Sequence, residues 1–165
     1  MIHRRQCLTM LAAMPLVTAA SSLRAQAQPL IVYADGLMNG WWIGGWAKTV
    51  PQMPLGDQKP VQVTMEGWNV MTFQTSAPLD TTPFSTLTIV VHGGDTGKQE
   101  FKLSARLGEK LVSQEMTIRC NKGEWGRVDV PLKKMKIKGP IDTLYLQNQT
   151  ADALAPFYVN YVLFQ

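Results

Sequence analysis

The feature that most constrains this chain is the alternation of apolar and polar residues, which recurs in short segments from Pro29 to the C-terminus. A period of two residues places successive side chains on opposite faces of a β-strand, whereas a helix needs a period near 3.6. Glycine, proline, asparagine and aspartate separate the segments, as they do in turns. The pattern predicts strands at 61–65, 70–74, 87–92, 99–107, 112–118, 126–130, 143–147 and 157–164. So many short strands in one domain favour a β-sandwich.

The same alternation assigns faces to the strands. Lys102, Ser104 and Arg106 are predicted to point outward, and the glycine-rich segment 92–98 is predicted to be a hairpin connection. The last strand is apolar on both faces, so we expect it to lie between two neighbours. The predicted core takes every second residue of two consecutive strands: Leu87, Ile89, Val91, Phe101, Leu103, Ala105 and Leu107.

Residues 1–27 have the order of a cleavable bacterial export signal. Arg4 and Arg5 precede an apolar run at residues 8–17, and the small residues at 25–27 form the predicted cleavage site. The arginine pair fits twin-arginine export and an ordinary secretory signal equally well. The apolar run is shorter than the roughly 20 residues that cross a bilayer, so no stable membrane span is predicted. We therefore expect an exported protein, periplasmic or extracellular, with a single domain at 28–165.

The charge argues against a nucleic-acid-binding protein, and the cysteine content argues against a disulfide-stabilised domain. The formal net charge is +4, but three of the 16 basic residues lie in residues 1–27 and all 12 acidic residues lie beyond them. Residues 28–165 are therefore nearly neutral, which removes the main support for nucleic-acid binding. Cys120 is the only cysteine of this segment. It cannot form an intramolecular disulfide there, and we expect it to be a buried small hydrophobe.

No catalytic constellation stands out in residues 28–165. His92 is the only histidine there and has no acidic or nucleophilic neighbour at a recognised spacing, and His92 with Cys120 lacks the clustered pairs of a zinc site. Scattered carboxylates in a β domain are usually solvated surface groups, so no enzyme is predicted. Glycoside hydrolysis would need two facing carboxylates. The residues that could supply them are Asp35, Glu66, Asp95, Glu100, Glu115 and Asp129.

The tryptophans are more informative. All five lie in residues 28–165, and Trp41, Trp42 and Trp46 crowd into the segment NGWWIGGWAK. In so glycine-rich a segment, not every indole can lie in the core. Exposed indoles suit the apolar faces of sugar rings, whose hydroxyls then bond to nearby polar groups. The alternative is that Trp41 or Trp46 closes one end of the sandwich, and we expect at least one of the three to be core.

Several segments together carry a family resemblance: YADGLMNGWWIGGWAKT, EGWNVMTFQT, FSTLTIVVHGGDTG, WGRVDVPLKKM, IDTLYLQNQT and APFYVNYVLFQ. They resemble jelly-roll carbohydrate-binding modules, which occur attached to, or secreted beside, bacterial and fungal polysaccharide-degrading enzymes. The resemblance implies a galactose-binding-like jelly-roll sandwich of two antiparallel sheets that binds a polysaccharide or oligosaccharide without catalysis. It places the sugar site at Trp41, Trp42, Trp46 and Trp68, with polar partners at Arg106, Tyr145, Gln147 and Asn148.

The resemblance also bears on calcium. Related modules often hold a structural calcium between a carboxylate of the last strand and another near the N-terminus. This chain has Asp35 near its start, but Asn160 stands where the second carboxylate is expected. Calcium prefers several oxygen ligands that include carboxylates. Asp35 and Asn160 are therefore only weak calcium candidates, and no other cofactor is predicted.

Two other functions stay open at this stage. A periplasmic or cell-surface structural module could use the same aromatic patch to bind a protein partner, and would then show a broad, mixed apolar surface. A small polysaccharide hydrolase or lyase would instead bring two carboxylates, or a Tyr, Arg and Lys group, together in a cleft.

Overall fold

The computed structural model describes residues 28–137 and 139–165, so the predicted signal at 1–27 and the residue Lys138 lie outside the described residues. Within these ranges, no helix is long and apolar enough to cross a membrane. The elements in chain order are β1 Leu30–Tyr33, β2 Trp41–Gly45, β3 Lys48–Val50, β4 Val61–Met65, β5 Val70–Leu79, β6 Thr86–His92, β7 Glu100–Leu107, β8 Lys110–Leu111, β9 Met116–Arg119, β10 Trp125–Pro131, the helical turn α1 Leu132–Met135, β11 Ile141–Gln147 and β12 Leu154–Phe164.

The strands form two antiparallel sheets that pack face to face. One, here called the front sheet, has the order β2-β5-β11-β7-β8, with β9 also paired to β7. The other, the back sheet, has the order β10-β6-β12-β4-β3, with β1 paired to β12. The all-β sandwich predicted from the alternation is confirmed. The last strand lies between β6 and β4, as predicted from its apolar character on both faces.

The core lies between the sheets and follows the predicted alternation. The side chains expected to point inward from β6 and β7 are buried, except Leu107 at the end of β7, which is partly exposed. Phe101 of the front sheet stacks on Phe157 of the back sheet, with ring centroids 5.0 Å apart. Cys120 is 2% exposed, and burial raises the pKa of its thiol to about 12, so it behaves as the small hydrophobe expected.

Two predictions about connections are wrong. Residues 92–98 do not form a hairpin, because β6 belongs to the back sheet and β7 to the front sheet, and the segment crosses between them. Its Gly97 has a φ of +67°, and a Cβ there would lie 2.5 Å from the Lys122 amide nitrogen. Of the strand predicted at 112–118, only residues 116–118 lie in a strand, β9. Residues 112–115 are irregular, and there the Ser113 hydroxyl accepts a hydrogen bond from the Ala105 N–H in place of a strand partner.

The strands β1 to β3 and β8 were not among the predicted ones, and β2 contains two of the three clustered tryptophans. Trp41 pairs with Thr75 and points into the core, where it is 6% exposed. Trp42 pairs with Gln74, points to the opposite side and is 43% exposed. Trp41 is therefore the core indole expected among the three clustered tryptophans, and its assignment to an exposed sugar site is corrected.

Trp41 and Trp42 are consecutive residues on opposite faces of β2, so alanine substitutions at the two positions test the assigned faces. Trp41→Ala leaves a large cavity between the sheets and should lower the free energy of unfolding by about 3–5 kcal/mol. Trp42→Ala removes a half-exposed side chain and should cost less than about 1.5 kcal/mol. Urea unfolding of both variants measures the difference. Equal losses would contradict the assigned faces.

Candidate functional site

The outer face of the front sheet is the candidate site. Because Met71, Phe73, Leu144 and Leu146 point into the core, their strand neighbours point outward. The strand register then arranges these outward residues in rows across β2, β5, β11 and β7. The rows are Trp42, Gln74, Thr143 and Arg106; then Gly44, Thr72, Tyr145 and Ser104; then Val70, Gln147 and Lys102.

A chain of side-chain hydrogen bonds fixes one end of this face. The Trp42 Nε1–H donates to Gln74 Oε1 at 3.1 Å, and Gln74 Nε2 donates to Thr72 Oγ1 at 2.9 Å. Gly44 makes room for this chain, since a Cβ there would lie 3.0 Å from Thr72 Oγ1 and 3.1 Å from Gln74 Nε2. The indole of Trp42 and the amide of Gln74 are thus held in fixed orientations.

A glycine bulge places Trp46 on the same face. Gly45 has a φ of +96°, and a Cβ there would lie 2.2 Å from the Val70 carbonyl oxygen. That carbonyl accepts hydrogen bonds from both the Trp46 and the Ala47 N–H, at 2.8 and 2.9 Å. The doubled pairing is the signature of a β-bulge, which lets the chain re-aim a side chain. Trp46 is 77% exposed as a result.

Arg106 and Tyr145 form the opposite border of the face. The Arg106 guanidinium carbon lies 4.1 Å from the centroid of the Tyr145 ring. Its Nη1–H donates to the Glu109 carbonyl at 3.3 Å. The Arg106 Nε is buried and has no hydrogen-bond partner among the described residues. The contact with the Tyr145 ring holds the guanidinium in place, as cation–π pairs do.

Between these borders lies a shallow depression of about 340 Å³. Thr72 and Val70 are each 1% exposed, so they form its floor beneath the larger side chains. The complete lining is Gly45, Trp46, Val70, Thr72, Gln74 and Tyr145. The depression therefore combines an exposed indole, a phenol, an amide and a hydroxyl.

Trp68 lies at the end of the sheet beside Trp46. It occupies the turn between β4 and β5 with a φ of +64° and is 61% exposed. The backbone N–H of Trp68 donates to the Thr150 carbonyl at 3.0 Å. The next residue, Asn69, donates from its side-chain amide to the Trp46 carbonyl at 3.5 Å. The two most exposed indoles thus belong to adjoining segments.

The predicted role of Asn148 as a sugar-binding group is corrected by its contacts. The residue is fully buried, and its Nδ2 donates to the carbonyls of Glu66 and Asp152 at 3.1 and 2.7 Å. Its Oδ1 accepts from the N–H and the hydroxyl of Thr150. All its polar atoms are used inside the protein, so Asn148 supports the turn that carries Trp68 and does not face a ligand.

The remaining predicted residues are on or beside the outer face, and two further ones join them. Arg106, Tyr145 and Gln147 share the face with Trp42 and Trp46. Thr72 and Gln74 were not named from the sequence, although the segment VMTFQ alternates and its apolar members Met71 and Phe73 are core. The alternation alone could have assigned them to the outer face.

The groups that could carry catalysis are dispersed. His92 lies on the back sheet between Trp125 and Tyr158, with ring centroids 5.0 and 5.8 Å away, and its Nδ1 accepts from the Gly94 N–H. On the front sheet Glu100 is paired with Arg119 at 2.7 Å. Across residues 28–137 and 139–165, no group of three or more His, Cys, Asp or Glu side chains could hold a metal ion.

The weak calcium candidates do meet, but as a hydrogen-bonded pair. Asn160 Nδ2 donates to Asp35 Oδ1 and to Gln58 Oε1, both at 2.9 Å, and Asn160 Oδ1 accepts from the N–H groups of Asp35 and Tyr161. The Lys59 N–H, and after it the Asn160 amide, hold the pKa of Asp35 below its ordinary value. The donor nitrogen Nδ2 of Asn160 thus contacts Asp35 Oδ1 and Gln58 Oε1, the oxygens that a cation at this place would need as ligands. These residues do not fit calcium.

Comparisons with known proteins support the fold. No protein-family model and no curated protein sequence matches the chain. Solved structures of family 29 carbohydrate-binding modules do match it. A variant of one such module in complex with cellulohexaose has a TM-score of 0.62 and 13% identity, over 85% of this chain and 92% of that one. A family 29 module from Piromyces equi has a TM-score of 0.60 and 13% identity, over 83% and 89%. The sandwich implied by the resemblance is therefore confirmed as a fold of this kind.

The Asp35–Asn160 pair predicts that calcium plays no part in stability. The melting temperature of the protein should be the same in EDTA and in millimolar calcium. Asn160→Asp exchanges a donor for a second carboxylate and should lower the free energy of unfolding by about 2–4 kcal/mol in EDTA. Calcium should then restore part of the loss, because two carboxylates would face each other. A calcium-dependent melting temperature of the unsubstituted protein would contradict the account.

Proposed function

We propose that this protein binds a polysaccharide, without catalysis, on the outer face of its front sheet. The observation that carries the proposal is the pairing of two exposed indoles, Trp42 and Trp46, with hydrogen-bonding side chains on one face. Sugar sites combine such apolar surfaces with a few placed polar groups. The similarity in fold to family 29 carbohydrate-binding modules, one of them in complex with cellulohexaose, supports the same assignment.

The indoles would supply most of the contact. The CH groups of a pyranose ring pack against an indole face, and the ring hydroxyls bond at its rim. Gln74 keeps one N–H beyond its bond to Thr72, and Tyr145 offers its hydroxyl. Because Trp42 and Gln74 already hold each other in place, little side-chain freedom is lost on binding.

The spacing favours a chain of sugars over a single one. Trp42 lies on β2, and Trp46 directly follows the end of this strand after the bulge at Gly45. Four residues span at most about 13 Å at the rise of a β-strand. Trp68 is also exposed, and its turn contacts the Trp46 segment through the Asn69 side chain. A single ring would contact one indole at a time, whereas an oligosaccharide can contact several at once. The ligand is therefore a polysaccharide or an oligosaccharide.

Such a partner fits the export predicted from residues 1–27, because polysaccharides are encountered in the periplasm or outside the cell. The expected mature protein begins at Gln28. Mass spectrometry of protein recovered from the periplasm or medium of an expressing bacterium measures the new N-terminus. Recovery of the uncleaved chain in the cytoplasm alone would contradict export.

The rival functions predict other surfaces or products. A polysaccharide lyase could draw on Tyr145 and Arg106, which contact each other, but Lys102 lies in another row of the sheet, opposite Gln147 and not Tyr145. A hydrolase needs two facing carboxylates, and Glu100 on this face is paired with Arg119. A protein-binding module would use a broad aromatic surface and would not need a depression lined with polar groups beside it. We expect intact polysaccharide, with no unsaturated or reducing products, after incubation with the protein.

The test is a screen of the purified protein against immobilised cellulose, xylan, mannan, pectin, alginate and chitin, followed by calorimetry. Trp42→Ala and Trp46→Ala should each weaken binding about 10-fold or more, because each removes a stacking surface. Trp125→Ala is the matched control, since it removes an indole from the back sheet. Urea unfolding verifies that all three variants are folded.

Each outcome decides between the candidates. Loss of binding in the Trp42 and Trp46 variants but not in the Trp125 variant supports the proposal. Equal binding by all variants would place the site elsewhere. If the folded protein binds none of the polysaccharides, the proposal is wrong and a protein-binding or structural role takes its place.

A further inference from the structure

The outer face of the front sheet carries an excess of positive charge. Its strand β7 presents Lys102 and Arg106, and neither forms an ion pair within the described residues. Glu100, the carboxylate that shares their side of β7, is already neutralised by Arg119 at 2.7 Å. Thus two cations lie on β7 beside the depression, and no described carboxylate lies within ion-pair distance of either. The net charge of the domain does not account for this excess, because residues 28–165 are nearly neutral.

The Arg106 guanidinium is held over the Tyr145 ring and does not extend freely into solvent. Tyr145, which lines the depression, lies beneath its guanidinium at 4.1 Å. A guanidinium has five N–H donors in a fixed fork. The one hydrogen bond described for it runs from Nη1 to the Glu109 carbonyl at 3.3 Å. The fork therefore keeps unused donors beside the place where a sugar chain would lie.

Lys102 extends the same border along β7. It lies four residues before Arg106, which corresponds to about 13 Å along a strand. Its Nζ is held 2.6 Å from the Thr117 hydroxyl on β9, so its position is restricted. The row that contains Arg106 begins with Trp42 on β2, and the row that contains Lys102 includes Val70, whose carbonyl binds the Trp46 N–H. An aromatic border and a basic border thus run along opposite sides of the same face.

Binding a neutral sugar on this face would carry an electrostatic cost. A ligand that covers the depression removes water from around Arg106, and a cation that loses water without gaining a counter-charge is destabilised. A carboxylate on the ligand reverses this effect. The planar fork of an arginine matches a carboxylate with two parallel hydrogen bonds. The charge distribution therefore favours polysaccharides that carry carboxylates over neutral ones.

We propose that the ligand is an anionic polysaccharide of the uronic-acid type, whose ring carboxylates meet Arg106 and Lys102 while its sugar rings pack against Trp42 and Trp46. This inference rests on the proposed polysaccharide binding and adds the chemical class of the ligand.

The experiment compares chains that differ in charge. Calorimetry with the purified protein uses β-1,4-glucan oligosaccharides, the same chains oxidised to carboxylates at C6, alginate, polygalacturonate, mannan and xylan oligosaccharides, and dextran sulfate. We expect at least one carboxylated chain to bind 10-fold or more tighter than every neutral one. Its affinity should fall as salt is raised, because the cations are partly exposed to solvent.

Three variants test the residues. Arg106→Gln should reduce affinity for the carboxylated chain at least 10-fold, and should remove most of the preference over neutral chains. Lys102→Gln should reduce it about threefold to 10-fold, since a lysine offers a point charge in place of a fork. Lys133→Gln is the control of equal charge, because Lys133 is exposed on α1, which directly follows β10 of the back sheet. Urea unfolding verifies that each variant is folded.

The outcomes separate this inference from the proposed function. Neutral chains that bind as tightly as carboxylated ones would overturn the inference and leave polysaccharide binding intact. Dextran sulfate that binds as tightly as the best carboxylated chain would also overturn it, since only net charge would then matter. If no chain binds, the proposed function fails together with the inference.

Discussion

The constraint on which the structure depends is the strict alternation of side chains along each strand. Burial of Met71 and Phe73 on β5, and of Leu144 and Leu146 on β11, directs the residues between them to the outer face of the front sheet. The apolar core therefore decides which polar groups are presented together. A shift of register by one residue would exchange the two sets and bring Gln74 into the core.

Two glycines give this face the geometry of the proposed site. Gly44 leaves space for the hydrogen-bonded chain from Trp42 through Gln74 to Thr72, and Gly45 allows the bulge that presents Trp46. The opposite border depends on the contact of Arg106 with Tyr145. Both borders are held by contacts within the protein. These side chains are thus held in place without a ligand, which would limit the entropy lost on binding at the proposed site.

Much of the fold followed from the sequence, because alternation is a local property. The strands β4, β6 and β11 and the inward side chains of β6 and β7 were predicted from it. Long-range pairing was not: the segment 92–98 crosses between sheets, and only the register of β2 shows that Trp41 is core and Trp42 exposed. Asn148 was misassigned because a polar residue at a strand end reads the same in sequence whether it faces a ligand or satisfies buried carbonyls.

We propose that a polysaccharide binds at Trp42 and Trp46 on the outer face of the front sheet. The most direct test follows the indole N–H resonances of the five tryptophans by NMR during titration with a bound oligosaccharide, assigned through single Trp→Phe variants. We expect the Trp42 and Trp46 signals to shift or broaden while those of Trp41, in the core, and Trp125, on the back sheet, stay unchanged. Saturable binding that moves the Trp125 signal and leaves Trp42 and Trp46 in place would contradict it.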